Sequence, residues 1–557
     1  MATVYDNDEV ALVDVANETH SYIVSAKNYQ QLQFEINQMS VTPSHELDII
    51  KSLAVDLTAQ QLHSLEQKLD ITVSNNHKVE LNGVGPGQRR WQPEATVPDF
   101  VNAGTPHYYG NYGAGVTMAF LDTGLTNLNG LGNDRYGYDK YWGTYNAVTD
   151  TVSNSDWEAN GHGTHVSSVA GNSDFDSSGR IYGLAPDALM VGIKAFDDQG
   201  KATYADVIRG IGWVVTHKDD YNIRVMNMSF SGPAQSYYWE DPLNQAVTAA
   251  WQAGIVMVAS AGNKGPDPMT IGVPGNNPYI ITVGAMTDNY TPFDSNDDKM
   301  AIFSSAGPTV EGFVKPEIIA PGGHMSGLMT TDSYLVTQHP EFHDGGRYFE
   351  MSGTSQAAAV VTGVVALMLT ADPTLTPDDV KCKLIASARS AMNPDNSRAY
   401  SVFQQGAGMV DAAGAIASLE SGCANQGLDI AADIAGTTHF TGPVGMNNSG
   451  DFFIENLGSE YVWNVPTDMN DAEGIMWKGA IESSGGFMWG TNFDTDGGFM
   501  WGTAYNYDAD PARQTSFQTS SEFLWKTEVD VDGGFMWGSG VSVASEGIEV
   551  NYWVDAY

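Results

Sequence analysis

Three short runs carry side chains that can do nucleophilic chemistry together. Gly353-Thr354-Ser355-Gln356-Ala357-Ala358-Ala359 places a serine among small residues, opening an Ala/Val-rich segment. A serine so placed is exposed at a helix N-terminus, where backbone N–H groups favour developing negative charge. Gly161-His162-Gly163-Thr164-His165 opens a second small-residue segment, and Asp122-Thr123-Gly124 ends a hydrophobic one. A serine hydroxyl is a poor nucleophile near neutral pH and needs a base within hydrogen-bond reach. The base in turn needs an acceptor that fixes its tautomer and stabilises the imidazolium. Ser355 is therefore the candidate nucleophile, His162 the general acid/base and Asp122 the orienting carboxylate. Asn263, in Ala259-Ser260-Ala261-Gly262-Asn263, offers an amide for the oxyanion, and the Ser355 N–H is a second donor. Loss of one such donor costs roughly 3–4 kcal/mol of transition-state stabilisation.

Each run alone is a modest signal. Asp-Thr-Gly also serves aspartic proteases, which need two copies, and one is present. His162 and His165, three apart, suit a metal on a helix face, but no third ligand of matching type lies nearby in sequence. The four groups in this order, each in its expected context, point to acyl transfer.

The elements that must hold them can be read from the apolar pattern. Val116–Leu121, Leu189–Ile193, Val225–Phe230, Ile255–Ala259 and Ile280–Val283 read as buried strands. Tyr204–His217 and Leu243–Ala253 read as intervening helices, and Thr376-Pro377-Asp378-Asp379 starts a later one, with Pro first and Asp379 third. This alternation implies an α/β fold, a doubly wound and mostly parallel sheet with helices on both faces, spanning 98–423. In such folds functional groups lie at the carboxyl ends of strands, where Asp122 and Asn263 fall.

Residues 1–82 read as a small α+β domain. Ser21–Ser25 and Ser52–Leu57 are strands, and a polar Gln-rich segment with Leu32, Phe34 and Ile36 lies between them. Thr58 caps a helix, with Gln61 completing a capping box and Leu62, Leu65 and Leu69 forming its apolar face. Ile71–Val73 and Val79–Leu81 add short strands. Residues 83–97, with three glycines, two prolines and Arg89-Arg90, read as an exposed linker open to processing. A second linker covers 424–435. From 436 to 557 a triplet recurs, starting at Ile475, Phe487, Phe499, Phe523 and Phe535 with spacings of 12, 12, 24 and 12. Each repeat reads as a short strand plus a turn, giving an all-β repeat domain with stacked aromatics. Its tryptophans serve either as that core or as a binding or surface-retention face.

The 67 acidic against 25 basic residues give a formal charge of −42. No Lys/Arg cluster appears, which argues against nucleic-acid binding. The acid is spread along the chain, as a solvated surface requires. Cys382 and Cys423 allow one disulfide closing a loop of about 40 residues, worth roughly 3–4 kcal/mol by chain entropy; two free thiols remain an open alternative. No run of 18 apolar residues is evident, so no membrane span is expected. Met1–Asp6 has neither the basic start nor the apolar core of a signal peptide, which leaves a cytoplasmic protein or one whose signal has been removed.

Over about 98–420 the chain resembles the subtilisin-like serine proteases, the subtilases. The resemblance rests on Val116–Gly124, Asn160–Gly171, Gly183-Leu184-Ala185-Pro186, Val225–Ser229, Ala261-Gly262-Asn263, Phe303–Pro308, Lys315–Gly322, Gly353–Gly363 and Gly406–Ala412. It implies an endopeptidase acting on protein or peptide substrates through an acyl-enzyme. It implies that Ser229, Phe230 and Ser231 pair with substrate as an added strand and that Gly262 lines the side-chain pocket. It implies no cofactor for the chemistry and makes structural Ca2+ possible, with ligands unassigned. The run departs from the family at Gln356–Ala359, where Met-Ala-Ala-Pro is usual, and at Phe230-Ser231-Gly232, where Leu-Gly-Gly is common. Gly322–Glu350 is long and reads as a surface loop. Residues 1–82 resemble a subtilase propeptide, an intramolecular inhibitor whose tail near Val79–Gly83 lies in the cleft. A propeptide of this length implies a zymogen that is secreted or cell-surface bound. The alternative is a dedicated maturation protease or peptide ligase acting on one partner.

Overall fold

Near-continuous apolar strands dictate a central layer covered on both sides. The computed structural model describes residues 19–81, 96–153, 158–291, 297–393, 397–446, 452–454, 476–477 and 505–506. The Phe-Met-Trp repeats of 436–557 fall almost wholly outside the described residues, as do residues 83–95 of the 83–97 linker. The chain divides into two units, Met1–His77 and Lys78–Tyr557.

In the first unit β1 (Thr19–Ala26) is followed by α1 (Tyr29–Gln38), β2 (His45–Leu47), β3 (Ser52–Thr58), α2 (Ala59–Glu66) and β4 (Ile71–Asn75). The strands form an antiparallel sheet in the order β2-β3-β1-β4. The Gln-rich segment is a helix. Asn28 caps it by accepting from the Gln31 N–H at 3.1 Å, and Leu32 and Ile36, one turn apart, are its buried residues. The Thr58–Gln61 capping box is formed as expected. Leu32 and Ile36 join Val24, Leu53, Val55, Leu57 and Leu65 in one apolar core.

The second unit opens with β5 (Lys78–Leu81), expected as the last strand of the N-terminal domain but paired within this unit. Short α3 (Val97–Phe100) and α4 (Gly104–Tyr108) lead into β6 (Thr117–Asp122), β7 (Tyr141–Asn146), β8 (Thr151–Ser153) and α5 (His162–Gly171). Then come β9 (Leu189–Lys194), β10 (Lys201–Thr203), α6 (Tyr204–Tyr221), β11 (Ile223–Met228), β12 (Phe230–Ser231), α7 (Pro242–Gln252), β13 (Val256–Ser260) and β14 (Ile281–Thr287). After β15 (Lys299–Met300), β16 (Ile318–Pro321), β17 (Met325–Leu328), α8 (Tyr334–Gln338) and β18 (Tyr348–Met351), the apolar α9 (Thr354–Ala371) and α10 (Pro377–Ser387) follow.

The central sheet runs β15-β14-β13-β11-β6-β9-β7-β8, with β16 also on β14. Its core is parallel, and β8 and β15 are antiparallel edges. Every residue of β6, β13 and β14 is buried, so both faces are covered. Helix α5 packs with α9, and α6 with α7. By length and mean hydropathy α9 would pass for a membrane span, but 89% of that window is buried inside this unit. The segment expected as a surface loop is a hairpin, β17 with β18, carrying its own apolar cluster of Met329, Leu335, Val336, Phe349 and Met351.

Cys382 and Cys423 are disulfide-bonded, with Cα atoms 5.2 Å apart. Beyond them, the 424–435 stretch read from sequence as a linker is held to this unit: its helix Ile430–Ile434 presents Asp433 to two buried tyrosines. Tyr238 and Tyr279 donate to its Oδ2 at 2.6 and 2.8 Å, and His439 Nδ1 lies 2.8 Å from Oδ1. The Gly442 N–H then bonds the Glu311 carbonyl at 2.8 Å.

Candidate active site

Asp122 is the last residue of β6, where the apolar run ends at the sheet's carboxyl edge. His162 is the first residue of α5. Its Nδ1–H donates to Asp122 Oδ1 at 2.7 Å, with both side chains buried. The same oxygen accepts from the Thr123 N–H at 2.8 Å. The close approach of helix and strand depends on Gly163: a Cβ there would lie 2.1 Å from the Gly124 carbonyl oxygen and 3.2 Å from Asp122 Cβ. In place of that Cβ, the Gly163 N–H bonds Thr123 Oγ1 at 2.9 Å.

Ser355 is the second residue of α9. Its Oγ donates to the Ser229 carbonyl at 3.0 Å, and Ser229 Oγ donates back to the Ser355 carbonyl at 2.9 Å. Asn227 Nδ2 supports Ser229 Oγ at 2.7 Å. The helix that carries Ser355 is thus tied to the junction of β11 and β12. It is also tied to the His162 helix, since Gln356 Nε2 lies 3.5 Å from His165 Nδ1. His165 itself faces away from metal chemistry. Its Nε2 lies 3.1 and 3.0 Å from the carbonyls of Met325 and Phe349, so that nitrogen carries the proton. Burial, with His162 nearby, pushes its pKa down to about 4.

Asn263 follows β13. Its Oδ1 accepts from the Thr354 N–H at 3.0 Å and from Thr354 Oγ1 at 2.8 Å, which orients the amide. Its Nδ2 is buried with no partner among the described residues. A buried unmade donor costs about 1–3 kcal/mol, which an anionic ligand would recover. Gly262, at φ 108°, bonds Thr354 Oγ1 through its N–H at 3.2 Å, and a Cβ on it would lie 3.2 Å from Ser231 Oγ. Gly232 pairs with Val273 across an isolated bridge. Asp122, His162, Ser355, Asn263, Ser229–Gly232 and Gly262 are therefore gathered at the strand ends by contacts running through α5, α9 and β11–β13.

β5 enters this region as the middle strand of a small sheet, β10-β5-β12, antiparallel to both neighbours. Val79 is opposite Ala202, Glu80 is opposite both Lys201 and Ser231, and Leu81 is opposite Phe230. Val79 is buried, and a Cβ on Gly232 would lie 3.2 Å from its Cγ1.

Glu158 escaped the sequence reading. It lies in coil, where no periodicity marks it; the available signal was an acid four residues before His162. Its carboxylate is fully buried and accepts from Thr123 Oγ1 at 2.7 Å, Thr164 Oγ1 at 2.6 Å, the Thr164 N–H at 3.4 Å and the Gly161 N–H. Burial raises its pKa, and the donors oppose that. Among the described residues no group of three or more His, Cys, Asp or Glu side chains is placed to hold a metal ion. The calcium expectation therefore finds no ligand set there.

Residues 113–408 match the model of the subtilase family. The chain is 37% identical over 371 residues to serine protease AprX of Bacillus subtilis, covering 65% of this chain and 78% of that one. It is 31% identical over 302 residues to subtilisin DY of Bacillus licheniformis, covering 53% and 92%. Fervidolysin from Fervidobacterium pennivorans, a keratinolytic enzyme related to subtilisin, superposes with a TM-score of 0.56 at 25% identity, covering 74% of this chain and 63% of that one. The chain belongs to the subtilase family and is a subtilisin-like serine protease.

Proposed function

We propose that the protein is a self-processing serine endopeptidase in which Asp122, His162 and Ser355 form the catalytic triad. His162 removes the proton from Ser355 Oγ as that oxygen attacks the scissile carbonyl. The resulting imidazolium is held by Asp122 and passes its proton to the leaving amine. Water, activated by the same histidine, then hydrolyses the acyl-enzyme ester. Asn263 Nδ2 and the Ser355 N–H stabilise the oxyanion. The observation that carries this reading is the 2.7 Å bond from His162 to Asp122 beside the Ser355 helix start.

The zymogen reading rests on β5. An antiparallel strand seated between β10 and β12 is what a peptide substrate or product would form there by strand addition. Residues 1–82 then act as an intramolecular inhibitor, and a propeptide of this kind fits a secreted or cell-surface enzyme. Intact mass and N-terminal sequencing of wild type and Ser355→Ala test both parts. Removal of roughly the first 80–95 residues in wild type alone is expected, since exposed linkers are where chains are cut. Normal processing of Ser355→Ala would refute self-cleavage.

A further inference from the structure

Glu158 connects the two elements that must stay in register for His162 to work. Thr123 follows Asp122, while Gly161 and Thr164 flank His162 at the start of α5. Both threonine hydroxyls already accept one backbone N–H. Thr123 Oγ1 accepts from the Gly163 N–H at 2.9 Å, and Thr164 Oγ1 accepts from the Thr126 N–H at 3.0 Å. Each hydroxyl has one hydrogen to give, and its shortest contact to a carboxylate, 2.7 Å for Thr123 and 2.6 Å for Thr164, is to Glu158. With the two backbone N–H groups added, the carboxylate faces four donors, the set that an acceptor-only, ionised carboxylate suits. This is the anionic form, placed at a helix N-terminus where the backbone dipoles favour it.

The charged groups around it are few. Asp122 is the carboxylate that faces it from β6, and His162 and His165 are the imidazoles of α5. Lys194 of β9 runs past Gly124, but its Nζ is turned to Asp198 at 2.8 Å. Above the loop, the Tyr334 and Leu335 N–H groups bond the carbonyls of Ala159 and Asn160, holding Glu158's own backbone in place.

From this arrangement we infer that Glu158 is a positioning residue of the protease reaction: its ionised carboxylate locks the Asp122–Thr123 turn to the N-terminus of α5 and adds negative charge behind the Asp122–His162 pair. The inference rests on the triad reading above. Glu158 touches neither substrate nor the reacting atoms. It acts by keeping Asp122 and His162 in line and by favouring the imidazolium.

The test is steady-state kinetics of the full chain on a peptide substrate, for Glu158→Gln, Glu158→Asp, Thr164→Val and Thr164→Ser. Active sites are counted by covalent labelling of the serine with a fluorophosphonate. Glu158→Gln should lower kcat per labelled site by about 10- to 100-fold, the scale of a small misplacement of catalytic groups. KM should stay near wild type, and the acidic limb of kcat/KM should move to lower pH, because protonating His162 becomes harder. Glu158→Asp keeps the charge and should restore the pH profile with intermediate kcat. If Glu158→Gln does not fold, Thr164→Val, which removes one donor to the carboxylate, should show the same signature more weakly, and Thr164→Ser should not. Full kcat per labelled site in Glu158→Gln, or a loss that appears only as fewer labelled sites, overturns the inference. His162→Ala is the control: turnover surviving there defeats the triad reading itself, whereas turnover lost there but kept in Glu158→Gln defeats the Glu158 assignment alone.

Discussion

Glu317 in the second unit accepts from two ammonium groups, whereas Glu158, equally buried, accepts only from hydroxyls and backbone N–H groups. Glu317 Oε1 lies 2.7 Å from Lys315 Nζ and 2.9 Å from Lys381 Nζ, and its Oε2 accepts from the Thr282 N–H at 2.8 Å. The lysines donate further to the carbonyls of Ile280, Pro278 and Tyr279. Taking any of these charges out of water costs several kcal/mol unless partners replace the lost hydration. Around Glu317 the two lysine side chains do so. Around Glu158 and Asp122 fixed dipoles do so, and in the proposed mechanism the cation is left to be made by His162. An ammonium in that place would lower the affinity of the imidazole for the proton it must carry. A carboxylate meant for structure and one meant for proton transfer can thus be told apart by the kind of donor that surrounds them.

The largest test of this contrast is Asp122→Asn, which offers His162 the wrong tautomer. It should lower kcat by about 10^4-fold while leaving the unfolding midpoint near wild type. Glu317→Gln should do the reverse. Two buried ammonium groups lose their carboxylate, so unfolding in urea, followed in a Ser355→Ala background to prevent self-digestion, should show a loss of about 3–5 kcal/mol. Activity per labelled site should be unaffected. Asp433→Ala is the intermediate case, since its carboxylate is held by neutral tyrosines far from the triad's role. Leaving the Tyr238 and Tyr279 hydroxyls without an acceptor should cost about 1–3 kcal/mol for each, read by thermal unfolding.

A further effect is on pH dependence. Burial, with Lys381 beside it, holds Lys315 down to about 7 against an ordinary 10.5, although Glu317 opposes the shift. Between those values the unfolded chain binds more protons than the folded one, so this lysine makes stability rise with pH across that window. Burial holds Lys140 down to about 7 as well, and it contributes with the same sign. Lys315→Met should flatten the rise without removing it, as judged by urea unfolding at a series of pH values. An unchanged slope would remove Lys315 from this account.

The sheet strands and the chemistry-bearing residues were legible because each obeys a local rule. Asp122 ends an apolar run, and His162 and Ser355 each open a run of small residues. Thr58 and Thr376 announce their helices by capping boxes that the structure contains. What stayed hidden depends on contacts distant in sequence. Tyr29–Gln38 has only Leu32 and Ile36 as buried anchors among glutamines, so its helical period was faint. The pairing of Cys382 with Cys423 is a matter of Cα separation. The helix holding Asp433 looked like linker because its value lies in two tyrosines over 150 residues earlier in the chain. Glu158 is the same case at the candidate site itself: nothing in its neighbours along the chain tells which donors will meet it.

β5 is hydrogen-bonded along both of its edges, to β10 on one side and β12 on the other. A chain that takes its place must offer one edge to β10 over three residues and the other to β12 over two, within roughly 13 Å of extended chain. A strand inside a folded sheet has at least one edge already occupied, and a helix has turned its donors and acceptors inward. On the proposed reading, in which substrate binds where β5 lies, the cleft screens for local unfolding before it reads any side chain. In a mixture of intact and damaged proteins, the rate at which each is cut would follow how often it opens, making this enzyme a gauge of conformational stability in its targets.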